Sequence, residues 1–301
     1  MESELKGKRA LVTGASSGIG AAIARELAAL GVDLVVSGRR RDALDAVAAE
    51  CTARGVRVDV VVADLGRPGG AAALWSGARA TGPVDILINN AGFGYFRPFR
   101  AVDWERDAEL VQLNITSLVE LSRRFVDDRT TGFAHDRAHL VNIASIGAYQ
   151  AVPHMAVYAA SKAFVRNFTE ALHDELRGTP IRVTCVCPGG TRTGFHEMAG
   201  AGNYSWLANA SMMSAEAVAR SAVHAMRRGK RNVIPGVLNK LACWSVRLVS
   251  RRIAAWMSGR VLGKPRADAL PARTAAWPTA ETVQHRCRLQ ARPARRPGAP
   301  C

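Results

Sequence analysis

Two hydrophobic periods alternate along the first 190 residues of the chain. Short runs rich in β-branched residues are apolar almost throughout, which is typical of parallel strands covered on both faces. Between them, Leu, Ala and Val recur at the three-to-four-residue spacing of helices. The predicted strands are Arg9–Thr13, Asp33–Ser37, Arg57–Ala63, Asp85–Asn89, His139–Ile143 and Ile181–Cys187, with an edge strand at Asn232–Pro235. The predicted helices include Gly20–Leu30, Asp42–Ala53 and Tyr158–Arg177.

This alternation predicts the fold class and the domain organisation. Strands that alternate with helices favour an α/β fold, a Rossmann-type doubly wound parallel sheet of about seven strands in a single domain. We expect this domain to span residues 1–266. Residues 267–301 contain nine Ala, six Arg and five Pro without an apolar period, so they are predicted to be a disordered tail.

The net charge of +16 for 301 residues is concentrated near the end of the chain. Residues 1–219 hold 23 basic and 23 acidic side chains, whereas residues 220–266 hold 12 Lys and Arg and no acidic residue. Strong positive charge ordinarily suggests a nucleic-acid or anionic-membrane partner. Because most of the chain is neutral and carries no recognisable nucleic-acid-binding motif, we predict no nucleic-acid partner.

Cysteine usage and the absence of long apolar runs favour a cytoplasmic protein. The six cysteines show no spacing typical of a disulfide framework or a metal site, so no metal is predicted. Cys185 and Cys187 are expected to be core residues on opposite faces of the sheet. The N-terminal segment lacks the apolar core of a signal peptide. No charge-free apolar run reaches the roughly 18 residues of a membrane span.

The segment Thr13-Gly-Ala-Ser-Ser-Gly-Ile-Gly20 joins the first strand to the first helix. Glycine permits a tight turn and a close approach of the backbone to a pyrophosphate, and a helix N-terminus offers free N–H groups and partial positive charge. The spacing of Gly14, Gly18 and Gly20 is longer than that of the G-x-G-x-x-G fingerprint. A dinucleotide site is predicted here, and a plain strand-to-helix turn is the alternative.

Further motifs follow in order, and together the chain resembles the short-chain dehydrogenase/reductase family. The resemblance runs motif by motif over about residues 6–195 and more loosely to about residue 266. The matching segments are Thr13–Gly20, Asp64-Leu65, Asn89-Asn-Ala-Gly92, Asn114, Ser145, Tyr158-Ala-Ala-Ser-Lys162, Pro188-Gly189 and Thr193.

The resemblance implies a bound nicotinamide dinucleotide. Asp64 would bond the adenine amino group, although it could act only as a helix cap. Asn90 would hold the cofactor side of the fourth strand, and Thr193 would bond the carboxamide. The expected cofactor-binding residues are Gly14, Ser16, Ser17, Gly18, Ile19, Gly20, Arg39, Asp64, Leu65, Asn90, Ala91, Gly92, Tyr158, Lys162, Pro188, Gly189, Thr191 and Thr193.

The end of the second strand favours NADP(H) over NAD(H). An acidic residue there would accept hydrogen bonds from the adenosine ribose and repel a 2′-phosphate. Gly38 holds that place and Arg39 follows, whose planar guanidinium suits phosphate. Ser17 occupies the loop position at which NADP-preferring family members often carry a second basic residue. Alternatively, residues 39–41 are only a solvated helix start.

Tyr158 and Lys162 are four residues apart in a helical pattern and share one face. A phenol titrates near 10, and bringing its pKa to neutrality takes roughly 4 kcal/mol of preferential stabilisation of the phenolate. The resemblance implies that Tyr158 is the acid or base, tuned by Lys162. It also implies that Ser145 polarises the substrate carbonyl and that Asn114 kinks its helix and holds a water in a proton relay.

These residues predict an NADP(H)-dependent oxidoreductase that acts on a carbonyl or alcohol, CH-OH, group. The alternative is a catalytically silent dinucleotide sensor or scaffold of the same fold, which would be expected to lose parts of the tetrad. A homodimer or homotetramer is expected from the family, through helices around Trp104–Phe125 and Tyr158–Arg177.

The region after residue 193 predicts the substrate class and an accessory surface. Residues 194–214 lie where the family has its substrate lid, and their aromatic and Met content suggests a hydrophobic substrate. The alternative is a loop packed on its own core. Ser214 is predicted to cap a helix that ends at Arg228.

Residues 236–262 are basic and amphipathic. They either cover the substrate cavity or a subunit interface, or make peripheral contact with an anionic membrane.

Overall fold

The computed structural model describes residues 4–131, 137–192 and 211–263, all within one compact unit spanning residues 1–269. Seven strands form one parallel sheet in the order β3-β2-β1-β4-β5-β6-β9. These strands are β1 (Arg9–Thr13), β2 (Asp33–Gly38), β3 (Val58–Val62), β4 (Ile86–Asn89), β5 (Ala138–Ile143), β6 (Ile181–Val186) and β9 (Asn232–Val233). Two short strands, β7 (Thr191–Arg192) and β8 (Met213–Ser214), pair separately.

Helices cover both faces of the sheet, because the strands bury side chains on both faces. Leu11 and Val12 are adjacent in β1 and belong to different core clusters. The cluster around Val12 includes α1 (Gly18–Ala29), α2 (Arg41–Thr52) and α7 (Ala215–Arg227). The cluster around Leu11 includes α3 (Gly70–Ala80) and α5 (Ser117–Thr131). The remaining helices are α4 (Trp104–Val111), α6 (Ala156–Glu175), α8 (Val237–Ser245) and α9 (Arg251–Leu262).

The predicted doubly wound parallel sheet is confirmed, and the predicted strands and helices are close to the observed ones. The edge strand β9 pairs in parallel with β6. The Ser214 hydroxyl accepts a hydrogen bond from the Ala217 amide at 3.2 Å, so it caps α7 as predicted. The strand order reverses between β1 and β4, and ligands of such sheets bind at the carboxyl ends of the strands beside this reversal.

The prediction that Cys185 and Cys187 point to opposite faces of the sheet is wrong. Their sulfur atoms are 3.7 Å apart, and both side chains are buried in the same small core cluster. Side chains alternate along a strand with a period of two, so residues two apart share a face. Their assignment to the core is confirmed, because both are fully buried.

Within the part of the chain that the structure describes, no helix has the length and apolar character needed to cross a membrane. Thr193, most of the expected lid (residues 194–210) and the expected tail lie outside the described residues.

Candidate active site

The glycine-rich segment after β1 forms a tight loop that leads directly into α1. Gly14 and Gly18 have φ angles of +66° and +57°, which are strained for any residue with a Cβ. A Cβ at Gly20 would overlap the Gly14 carbonyl and the Asn90 side-chain amide. The Ser17 side chain does not cap α1, and the first turn of α1 holds no acidic residue. The first amides of α1 therefore offer hydrogen bonds and partial positive charge to an anion, which fits the pyrophosphate of a dinucleotide.

Asn90 supports this loop from the neighbouring strand. Its side-chain amide nitrogen donates to the carbonyl oxygens of Thr13, at 2.9 Å, and Gly14, at 3.3 Å. The Thr13 hydroxyl accepts hydrogen bonds from the backbone amides of Asn90 and Ala91, both at 3.0 Å. The sequence marked Asn90 as a cofactor-side residue, and in the structure its amide shapes the loop on which a cofactor would lie.

Two arginines follow Gly38 at the end of β2, and they have different partners. The Arg39 guanidinium is 3.3 Å from a carboxylate oxygen of Glu109 on α4. The Arg40 guanidinium lies 3.5 Å from the Ser16 hydroxyl in the glycine-rich loop. The sequence singled out Arg39, but Arg40 is the arginine that reaches the loop. Glu109 was not anticipated, because it is 70 residues away from Arg39 in the chain.

Asp64 forms a local turn rather than a helix cap. One of its carboxylate oxygens accepts a hydrogen bond from the Gly66 amide at 3.0 Å, while α3 starts only at Gly70, after Gly69 at its N-cap. The next residue, Leu65, is buried, and its carbonyl accepts a hydrogen bond from the Ser117 hydroxyl at 2.7 Å. This hydrogen bond joins the segment to α5 at the carboxyl end of the sheet.

Tyr158 and Lys162 lie on one face of α6, directed at the ends of β4 and β5. The Lys162 ammonium nitrogen donates to the Ile143 carbonyl at 2.9 Å and lies 5.9 Å from the centre of the Tyr158 ring. A Cβ at Gly94 would come within 2.5 Å of that ring. Gly94 therefore makes room for the phenol, a requirement that sequence reasoning missed because Gly94 lies in an irregular loop.

Asn114 lies in a π-helical segment, Gln112–Thr116, between α4 and α5, which agrees with the expected irregularity at this residue. Its side-chain amide nitrogen donates to the Phe93 carbonyl and to the Ser161 hydroxyl, both at 3.0 Å, and its oxygen accepts from the Phe93 amide at 3.2 Å. A Cβ at Gly92 would lie 3.0 Å from the Asn114 oxygen and 3.3 Å from the Lys162 nitrogen. The polar ends of Asn114 and Lys162 therefore both lie beside Gly92.

The Ser145 hydroxyl lies at the end of β5 and accepts a hydrogen bond from the Gly147 amide at 3.1 Å. Burial raises the pKa of Tyr158 above its ordinary value, and a hydrogen bond with Ser145 opposes that rise. Burial also lowers the pKa of Lys162 to about 8. The protein alone therefore does not bring the pKa of the phenol towards neutrality, an effect that the resemblance implied for Lys162.

The buried Lys162 predicts a specific dependence of stability on pH. Between its folded-state pKa of about 8 and its ordinary value of 10.5, the unfolded chain binds a proton that the folded protein does not. The free energy of unfolding of the wild type should therefore rise with pH across this window relative to that of Lys162→Met, by up to about 3 kcal/mol. Urea denaturation of both proteins at several pH values measures the difference. A difference that stays constant with pH would contradict the lowered pKa.

The turn after β6 brings the C-terminal part of the chain to the site. The Pro188 carbonyl accepts a hydrogen bond from the Ile146 amide at 2.9 Å, and the Thr191 hydroxyl donates to the Gly189 carbonyl at 3.1 Å. A Cβ at Gly189 would overlap the buried side chain of Asn239 on α8. Asn239 was not predicted, since nothing in its local sequence indicates contact with a turn 50 residues earlier.

Comparison with known proteins connects this arrangement to one family. The family model described as "short chain dehydrogenase" matches residues 8–203. Among curated proteins, an uncharacterized oxidoreductase of Myxococcus xanthus is 36% identical over 191 residues, which cover 62% of this chain and 73% of that protein.

Solved structures show the same fold with both nicotinamide cofactors. A 7beta-hydroxysteroid dehydrogenase superposes with a TM-score of 0.76 at 25% identity, covering 86% of this chain and 99% of that one. A short-chain dehydrogenase from Sphingobium yanoikuyae in complex with NADPH superposes with a TM-score of 0.69 at 32% identity, covering 84% of this chain and 93% of that one. A short-chain dehydrogenase/reductase from Burkholderia phymatum in complex with NAD superposes with a TM-score of 0.71 at 26% identity, covering 81% of this chain and 93% of that one.

Proposed function

Because the chain belongs to the short-chain dehydrogenase family, we propose that it is an NADP(H)-dependent oxidoreductase acting on the carbonyl or alcohol group of a hydrophobic small molecule. One observation carries this proposal. The half-buried Tyr158 phenol has Ser145 as a hydrogen-bond partner and Lys162 one helical turn away, at the strand ends next to the glycine-rich loop.

The residues around the loop have distinct roles in this proposal. The amides at the start of α1 would hold the pyrophosphate, and Asp64, Leu65 and the turn at Pro188-Gly189 would line the rest of the groove. The nicotinamide ring, when bound, supplies or accepts the hydride.

The chain's own groups orient the substrate and move the proton. The Ser145 hydroxyl holds the substrate oxygen, and the Tyr158 hydroxyl donates a proton to that oxygen in reduction or accepts one in oxidation. Lys162 lies beside the phenol and is held by the Ile143 carbonyl. Asn114, which is near Lys162, would connect the ammonium to solvent through a water molecule.

The choice of NADP(H) rests on the electrostatics at the end of β2. Gly38 presents no carboxylate there, and the guanidinium groups of Arg39 and Arg40 lie on the exposed side of the loop. A 2′-phosphate would gain charge-assisted hydrogen bonds from either arginine. The Sphingobium protein in complex with NADPH supports this choice, whereas the Burkholderia phymatum protein shows that the fold also accepts NAD.

The ion pair between Arg39 and Glu109 predicts a gain of affinity on removing the carboxylate. Glu109→Gln should lower the Kd for NADPH by about three- to tenfold, because it frees Arg39 and removes repulsion of the 2′-phosphate. The Kd for NADH should stay within about twofold of the wild-type value, since NADH lacks that phosphate. Titration of intrinsic fluorescence with each cofactor measures both constants.

Glu105→Gln is the matched control, because it removes the same charge from an exposed position on the same helix. An equal gain for NADPH in this control, or an equal gain for NADH in Glu109→Gln, would show that Arg39 does not contact the 2′-phosphate.

Different observations support the proposed hydrophobic substrate and the proposed oligomer. The 7beta-hydroxysteroid dehydrogenase among the structural neighbours is named for a hydrophobic substrate. Exposed apolar side chains on α4 and α6, namely Trp104, Val111 and Phe164, favour a homodimer or homotetramer formed through these helices.

A screen of NADPH oxidation with aldehydes, ketones, 3-oxoacyl esters, steroids and retinoids tests the proposed function. Turnover of at least one class, with a lower rate when NADH replaces NADPH, is the expected result. Tight binding of NADPH without turnover of any class would instead favour the catalytically silent alternative.

A further inference from the structure

Helices α8 and α9, with the residues between them, present an exposed apolar surface. We call residues 237–262 the C-terminal surface. It contributes nine of the fourteen large apolar side chains that are exposed in the described part of the chain. Both of its tryptophans are among them, with Trp244 60% and Trp256 59% exposed. Isolated exposed apolar residues are ordinary, but a concentration of this kind marks an interaction site.

The opposite side of this surface is firmly packed on the domain. Asn239 and Cys243 of α8 are buried, and Asn239 donates a hydrogen bond to the Pro235 carbonyl at 3.0 Å. On α9, the Ser258 hydroxyl donates to the Ala151 carbonyl at 2.9 Å, and a Cβ at Gly259 would lie 3.3 Å from the Pro153 ring. The inner side of each helix is therefore packed on the domain, and the exposed apolar side chains lie on the outer side.

Five exposed cations alternate with these apolar side chains along the segment, which contains no acidic residue. Lys240, Arg247, Arg251, Arg252 and Arg260 are all exposed, and residues 220–266 contain no Asp or Glu. The Arg260 guanidinium lies over the ring of exposed Trp256, 4.7 Å from its centre. In the described residues none of these five cations forms an ion pair. The surface thus combines apolar side chains, interfacial tryptophans and unneutralised positive charge.

This charge distinguishes between the occupants that could cover the surface. A symmetric contact with a second copy would place the same surface against itself, so five cations would face five cations without any carboxylate between them. A bilayer that contains anionic lipids instead offers headgroups to the arginines, the headgroup region to tryptophan, and the acyl boundary to the aliphatic side chains.

We propose that the C-terminal surface binds the face of an anionic lipid bilayer. Because α8 contacts Gly189 and α9 contacts the loop before α6, bilayer binding would hold this end of the domain, which also carries Tyr158, near the membrane. This proposal rests on the surface alone and not on the proposed enzymatic function.

Cosedimentation of the full chain with vesicles tests the proposal. The wild type should sediment with vesicles of phosphatidylcholine and phosphatidylglycerol at low salt, and bind pure phosphatidylcholine vesicles much more weakly. Arg251→Gln with Arg252→Gln should reduce the partition coefficient by roughly tenfold or more. The matched control, Arg54→Gln with Arg177→Gln, removes two exposed charges elsewhere and should bind as the wild type does.

A second pair of variants separates lipid binding from self-association. Trp244→Gln with Trp256→Gln should weaken binding to the anionic vesicles severalfold, while Trp104→Gln, an equally exposed tryptophan on α4, should not. Unchanged thermal melting would show that each variant is folded.

Three results would overturn the proposal. The first is wild-type binding to the vesicles that does not depend on salt or on phosphatidylglycerol. The second is an equal loss of binding in the control variants. The third is a wild-type oligomer that the paired tryptophan substitutions dissociate in sedimentation velocity without any vesicle binding, which would assign the surface to a second copy.

Discussion

Replacing Tyr158 with phenylalanine is expected to lower turnover by about 10³-fold while leaving NADPH binding nearly unchanged. The substitution removes only the hydroxyl, which bonds Ser145 and which we propose exchanges a proton with the substrate oxygen. The ring remains, so its close contact with Gly94 and its position beside Lys162 are retained. Initial rates with the best substrate of the screen and fluorescence titration with NADPH measure the two effects separately.

Tyr149→Phe is the matched control for this prediction. Tyr149 lies in the short 3-10 helix before α6, and its hydroxyl is 3.4 Å from the side-chain oxygen of Asn232. Its loss should change turnover by no more than about threefold, since no proton of the proposed reaction passes through it. If Tyr158→Phe kept a tenth or more of the wild-type rate, Tyr158 would not be the acid or base.

Replacing Gly20 with alanine is expected to weaken NADPH binding by about a hundredfold or more. The added methyl group would overlap the backbone carbonyl of Gly14, and a backbone carbonyl cannot turn aside as a flexible side chain can. The loop must therefore move away from α1, and the amides that we propose hold the pyrophosphate lose their arrangement. Titration with NADPH measures the loss of affinity, and thermal melting shows whether the domain remains folded.

Gly77→Ala supplies the control for a glycine within a helix. Its Cβ would lie 3.1 Å from a methyl group of Val61, a neighbour that can shift slightly, and no atom of the glycine-rich loop would lie within 4 Å of it. NADPH binding should be unchanged. Wild-type affinity in Gly20→Ala would show that the loop does not hold the pyrophosphate in the way proposed.

The parallel sheet could be predicted because its strands and helices each produce a local pattern. Residues such as Leu11 and Val12 are buried on opposite faces, so β1 reads as a continuous apolar run. The glycine-rich loop could also be predicted, because positive φ angles at Gly14 and Gly18 exclude most other residues.

Contacts between distant parts of the chain could not be predicted in this way. Glu109 pairs with Arg39, Asn239 fills the space above Gly189, and Gly94 makes room for Tyr158. Each of these contacts depends on how helices and loops pack against one another, and periodicity within one segment carries no information about packing. The pKa shifts of Tyr158 and Lys162 have the same origin, because burial is a property of the assembled site.

The segment 236–262 shows most clearly the difference between what local sequence predicts and what packing determines. Its composition established a basic, amphipathic stretch without acidic residues, but it left open whether the stretch covers the domain or faces a partner. In the structure, one side of these helices packs on the domain and the other side is exposed. Asn239, Cys243 and Ser258 attach the helices to the domain, while Trp244 and Trp256 remain exposed. Local sequence therefore specifies which side chains an element carries, and only its neighbours in space determine which of them solvent or a partner can reach.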